Sequence, residues 1–80
     1  MKVLFQRNTA LKFILKQPAK QKERLFAAIQ RLPEGDITSM AGMPGYYRLR
    51  VGDYRVVYTI EWDNGAVVVH NVGNRGDIYK

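Results

Sequence analysis

Arginines stand at alternate positions in Tyr46-Tyr47-Arg48-Leu49-Arg50-Val51, and another follows at Arg55, just past Gly52-Asp53. Aromatic and β-branched residues alternate with charge on both sides of Gly52-Asp53, the pattern of two antiparallel strands joined by a tight turn. A two-residue turn there sets Val51 opposite Tyr54, Arg50 opposite Arg55 and Leu49 opposite Val56. Side chains alternate along a strand, so Leu49, Val51, Tyr54, Val56, Tyr58 and Ile60 share one side, and Arg48, Arg50 and Arg55 share the other. Like charges placed directly opposite each other are destabilising. A hairpin that carries this cost suits the holding of an anion. The competing reading is a solvated basic face, and the hairpin alone leaves both open.

Composition narrows the partners. Eighty residues make one small domain, 1–80, which buries only about 60–65% of its unfolded surface. Thirteen Lys and Arg against seven Asp and Glu leave a net charge of +6, which suits a nucleic acid or an acidic protein as partner. The chain has no cysteine and a single histidine, so disulfides, thiolate zinc sites and His-based metal clusters are not expected, and neither is a cofactor. No apolar run reaches the roughly 18–20 residues that span a bilayer. Met1 to Arg7 is also too short an apolar stretch for a signal peptide. A cytoplasmic location and no membrane association are the expectations.

Elements that position the hairpin follow from periodicity. Lys2 to Gln6 reads as a short strand with Val3 and Phe5 on one face. Asn8 is a suitable N-cap for a helix over Thr9 to Gln17, with Leu11, Ile14 and Leu15 as its apolar stripe. Pro18 ends that helix or opens the next, which runs from Ala19 to Leu32 with Leu25, Ala28, Ile29 and Leu32 on one side. Lys12, Lys16, Lys20 and Lys22 read as the wet face of this helical pair. Pro33 to Gly45 is loop-like, with Met40 and Met43 placed to plug the core edge. Asn64-Gly65 signals a type I′ turn into a third strand from Ala66 to Val72. Counting from that turn, Ile60 faces Val69, Thr59 faces His70 and Val57 faces Val72. The order is β-α-α-β-β-β, an α+β fold with a helical hairpin packed on a small, mostly antiparallel sheet. Arg75, past the last strand, returns toward Arg55, and Tyr79 can reach the same place.

Histidine is the usual general base near neutral pH. His70, however, lies several residues up the sheet from Arg55 and reads first as a structural residue. Tyr54 and Tyr58 read as core, while Tyr46, Tyr47 and Trp62 have rings that could stack on bases.

Three stretches resemble the RelE/ParE superfamily of toxins from type II toxin–antitoxin systems. They are the hairpin Gly45-Tyr46-Tyr47-Arg48-Leu49-Arg50-Val51-Gly52-Asp53-Tyr54-Arg55-Val56-Val57-Tyr58, the valine strand after it, and Val72-Gly73-Asn74-Arg75-Gly76-Asp77-Ile78-Tyr79. The resemblance covers essentially the full length, early helices included. It implies a RelE-like fold and a small toxin held inactive by a cognate acidic antitoxin protein. In the RelE branch it implies an endoribonuclease that cuts mRNA in the ribosomal A site, without metal, by attack of the 2′-OH. In the ParE branch the implied target is DNA gyrase, inhibited by binding. A third reading is a non-catalytic basic module that holds nucleic acid.

For the RelE branch the resemblance carries catalytic and RNA-binding roles to Arg48, Arg50, Arg55, Arg75 and Tyr79. Arginine suits stabilisation of a pentacovalent phosphate because its planar fork pairs with phosphate oxygens and keeps its charge. The tyrosine would orient RNA or assist proton transfer. Some relatives have lysine in place of Arg48 and Arg50, and many have histidine in place of Asn74. Arginine is a poor proton acceptor, so the general base is left unassigned.

Overall fold

A computed structural model of the chain describes residues 1–74. Strand β1 (Lys2–Phe5) precedes helices α1 (Asn8–Leu15) and α2 (Ala19–Gln30). Strands β2 (Ile37–Ser39), β3 (Tyr46–Val51), β4 (Tyr54–Glu61) and β5 (Ala66–Asn74) follow. They form one five-stranded sheet in the order β1-β5-β4-β3-β2. The α+β class is as expected, with one strand added. Ile37-Thr38-Ser39, inside the anticipated loop, pairs antiparallel with β3, Ile37 opposite Leu49 and Ser39 opposite Tyr47. Three residues are too few for an alternation to show in sequence; the ladder to β3 makes the strand. At the other edge β1 pairs parallel with β5, an arrangement no tight hairpin can produce.

Both helices lie on one face of the sheet. Leu25, Ala28, Ile29 and Leu32 are buried as the periodicity of α2 predicts. Leu25 is fully buried, so Leu25→Ala would cost about 2–5 kcal/mol. In α1 the inward face differs from the expected stripe. Ala10 and Ile14 are buried, while Leu15 is 53% exposed. Leu15 lies about 100° round the helix from Ile14, and the small Ala10 lets the backbone approach β5. This helix also starts a residue early. Gln6 N–H still donates to Val69 O and Arg7 keeps extended backbone, so Asn8 is the first helical residue and not the N-cap.

The hairpin between β3 and β4 has the register read from sequence: Val51 opposite Tyr54, Arg50 opposite Arg55, Leu49 opposite Val56. Gly52 carries a φ of 58°, and among the described residues no non-glycine has positive φ. Positive φ at the first turn position alone is the type II′ pattern, which asks for glycine there.

The hairpin between β4 and β5 corrects the sequence reading. Trp62–Asn64 form a single 3-10 turn and Gly65 adopts the left-handed conformation, so the strands close with Glu61 opposite Ala66. A type I′ turn needs positive φ at both central residues. Asn64 instead sits in the helical turn, its Nδ2 donating to Glu61 Oε2 at 3.0 Å. Ile60 therefore faces Val67, Thr59 faces Val68 and Val57 faces Asn71. Further along, Tyr58 pairs with Val69 and Val57 with Asn71, leaving His70 as the extra residue of a β-bulge. Val69 and Val72 are an odd number of residues apart and would face opposite sides of a regular strand. The bulge lets both enter the core, at 0% and 4% exposure.

Tyr58 is buried at the centre of the helix-covered face and stacks on Tyr47 with ring centroids 5.6 Å apart. Burial, and then the neighbouring Tyr47, push the Tyr58 hydroxyl up to about 12. Tyr54 donates to Gln17 Oε1 at 2.8 Å and meets Phe13 edge to face. Tyr54 and Tyr58 thus serve the core, as expected. Met40 and Met43 do not plug it: Met40 is half-buried, Met43 is 41% exposed, and both border a pocket with Tyr46 and His70.

Candidate functional site

The face of the sheet away from the helices carries the basic residues. Tyr46, Arg48 and Arg50 alternate along β3 with the inward Tyr47, Leu49 and Val51; Arg55, Val57 and Thr59 do the same along β4. The pairing sets Arg48 opposite Val57, Arg50 opposite Arg55 and Tyr46 opposite Thr59. Strand alternation therefore joins Tyr46 to the arginine row, a placement readable from its even spacing to Arg48 and Arg50.

The arginines differ in setting. Arg55 is only 9% exposed, the one buried charged side chain among the described residues. Its Nη1 donates to Tyr54 O at 3.0 Å and to Gly52 O at 3.4 Å. These bonds fix the guanidinium, and among the described residues no carboxylate pairs with it. Arg50 is exposed and ion-paired, its Nε 2.8 Å from Asp36 Oδ2. Asp36 also accepts the Arg50 backbone N–H through its own carbonyl, so the loop before β2 is bound twice to this arginine. Sequence reading gave Asp36 no part; its only sequence signal is being an acid beside a short β-branched run. Arg48 is half-buried between them in exposure and lies across Val57 from β5. Arg75 and Tyr79 fall outside the described residues. Described backbone ends beside the cluster, with Gly73 opposite Arg55 and Asn74 opposite Tyr54.

His70 has both ring nitrogens engaged. Nδ1 meets Gln6 Oε1, and Nε2 lies 2.8 Å from Thr59 Oγ1. An amide oxygen only accepts, so Nδ1 carries the proton and the Thr59 hydroxyl donates to Nε2. Partial burial lowers the His70 pKa from its usual value, in keeping with a neutral ring. With its one lone pair occupied, His70 is a poor proton acceptor for a substrate. It holds β1 to β5 and supports the Tyr46 ring, whose centroid is 5.1 Å away. Trp62 is 70% exposed at the hairpin tip, apart from the arginine row.

A five-stranded sheet with two helices on one face is the fold of RelE toxins in solved toxin–antitoxin complexes. The RelE–RelB complex of Pyrococcus horikoshii contains a chain that superimposes with a TM-score of 0.75 at 22% identity, over 95% of this chain and 96% of that one. The RelB–RelE complex of Methanococcus jannaschii gives 0.74 at 26% identity, over 95% and 94%. In sequence, a Methanocaldococcus jannaschii protein named as a RelE1 toxin is 33% identical over 45 residues, 56% of this chain; that match spans half the length of the relative. The model of the ParE toxin family of type II toxin–antitoxin systems (parDE) matches residues 5–79. The chain belongs to that family. Among the described residues, no helix is long and apolar enough to cross a membrane.

Proposed function

We propose that the chain is the toxin of a type II toxin–antitoxin pair and acts as a ribosome-dependent mRNA endoribonuclease. The observation that carries this reading is the buried Arg55 guanidinium, fixed by two backbone carbonyls within a basic sheet face. Cleavage by 2′-OH attack requires that hydroxyl to be deprotonated, the pentacovalent phosphate to be stabilised and the leaving 5′-oxygen to be protonated. Arg55 supplies the second requirement, since a preorganised cation aimed at developing charge costs no reorganisation in the transition state. Arg48 and Arg50 position the RNA backbone. Arg75 and Tyr79 complete the site on the strength of the family resemblance, Tyr79 in stacking or proton transfer. No group here is assigned as general base, and the engaged nitrogens of His70 argue against it.

A second reading is favoured by the name of the matched family, ParE: inhibition of DNA gyrase by binding alone. Primer extension on translated mRNA after induction separates the two. Cuts within codons support the nuclease. DNA damage without cuts supports the gyrase reading, and neither leaves a basic nucleic-acid-binding module. The nuclease reading calls for the basic face to be blocked during growth. The partner we assign is an acidic antitoxin segment, consistent with the antitoxin complexes formed by the structural neighbours. Because it binds only the folded state, it should raise the melting temperature; an unchanged melting temperature on co-expression would remove it.

A further inference from the structure

Beside the arginine row lies a pocket of about 400 Å³ that the proposed chemistry does not use. Val57, on the same face as Arg55, contributes to its floor, and the Tyr46 and His70 rings line it. Met40 and Met43 add polarisable thioethers, brought there by the tight β2–β3 loop: Tyr46 N–H donates to Met43 O, and Met40 N–H to Tyr46 O. The bulge turns His70 to this face beside Asn71, whose exposed amide borders the same space.

We infer that this pocket takes a single unstacked RNA base, held against the Tyr46 and His70 rings. The proposal rests on the RNA-cleaving reading and adds to it a base-recognition subsite. Three features point to a nucleobase. Aromatic rings and thioethers form a surface on which any base can stack. The Asn71 amide offers a donor and an acceptor to a base edge. Cations bracket the pocket, with Arg7 in its lining and Arg55 about 7 Å along β4 from Val57. A strand whose phosphates lie on those arginines would present one base to the space between them. His70 is a positioning residue here: its bonds to Gln6 and Thr59 hold its ring against Tyr46.

The chain has three methionines, so a ¹³C-methyl-methionine spectrum of the 80-residue chain gives one probe outside the pocket, Met1, and two that border it, Met40 and Met43. The ligand is a 2′-O-methyl RNA trinucleotide, compared with the same trinucleotide made abasic at its central position. Base-bearing RNA should shift the Met40 and Met43 methyls and the His70 ring signals. The abasic form should shift the Arg48 and Arg55 side-chain N–H signals but leave the pocket unmoved. Tyr46→Ala, with core signals retained as a check on folding, should weaken the base-bearing ligand by roughly 5- to 150-fold and leave the abasic one unchanged. Arginine shifts without pocket shifts, or pocket shifts equal for both ligands, would overturn the subsite and leave the RNA-binding face standing. Silence at both places would overturn the two together.

Discussion

Arg50 and Arg55 stand directly opposite each other across β3 and β4, yet their guanidinium groups are held by different partners. Arg50 reaches Asp36 at 2.8 Å, while Arg55 turns onto the carbonyls of its own hairpin, Gly52 and Tyr54. The two guanidinium groups are thus drawn to different partners, with no carboxylate of the described residues buried between them. One arginine is ion-paired and exposed; the other is buried and, among the described residues, bonded to backbone carbonyls alone.

That division predicts the behaviour of Asp36→Asn. An exposed ion pair contributes about 0–1 kcal/mol, so urea denaturation should show a change within that range. Freed from its carboxylate, Arg50 becomes available to phosphate. RNA affinity should rise, and the slope of log K against log salt should steepen by about one. An unchanged slope would mean that Arg50 never meets the backbone.

Arg55→Ala should remove transition-state stabilisation more than binding. Loss of one preorganised charge donor costs about 100- to 1,000-fold in rate, so single-turnover cleavage on programmed ribosomes should fall by that factor with ribosome binding largely kept. Arg48→Ala should show the opposite balance, in KM more than kcat. Wild-type cleavage by Arg55→Ala at saturating ribosomes would reduce Arg55 to a phosphate anchor.

His70 is the only histidine, so one imidazole titrates in a proton NMR spectrum. Burial lowers its pKa, and the midpoint should fall below the usual value of about 6.5. The sign for stability follows: as pH drops below that value the unfolded chain takes up the proton first, so stability present above it is lost on acidification through the folded-state pKa. His70→Asn should flatten this part of the acid limb. A midpoint at or above the usual value would contradict the hydrogen-bonded neutral ring.

Gly52 holds a φ of 58°, and a Cβ there would lie 3.2 Å from Arg24 Nη2. Gly52→Ala should therefore destabilise the domain by about 1–2 kcal/mol. The arginine can swing aside, so the left-handed backbone is the main cost. Chemical denaturation measures it directly.

Local alternation was enough to place Leu49, Val51, Val56 and Tyr58 inward and Arg48, Arg50 and Arg55 outward, because a strand's period of two and a glycine-led turn are set by neighbouring residues. The buried face of α2 was legible for the same reason. Three features needed the tertiary structure. Strand β2 exists only because β3 offers it a ladder. The β4–β5 register depends on a four-residue loop and on the bulge at His70, neither of which follows from Asn64-Gly65 alone. Asp36 meets Arg50, and Gln6 meets His70, across chain separations that no local period spans. Residue types and spacing declared a basic hairpin; the packing of distant segments decided which arginine is ion-paired, which is buried, and what surrounds the single histidine.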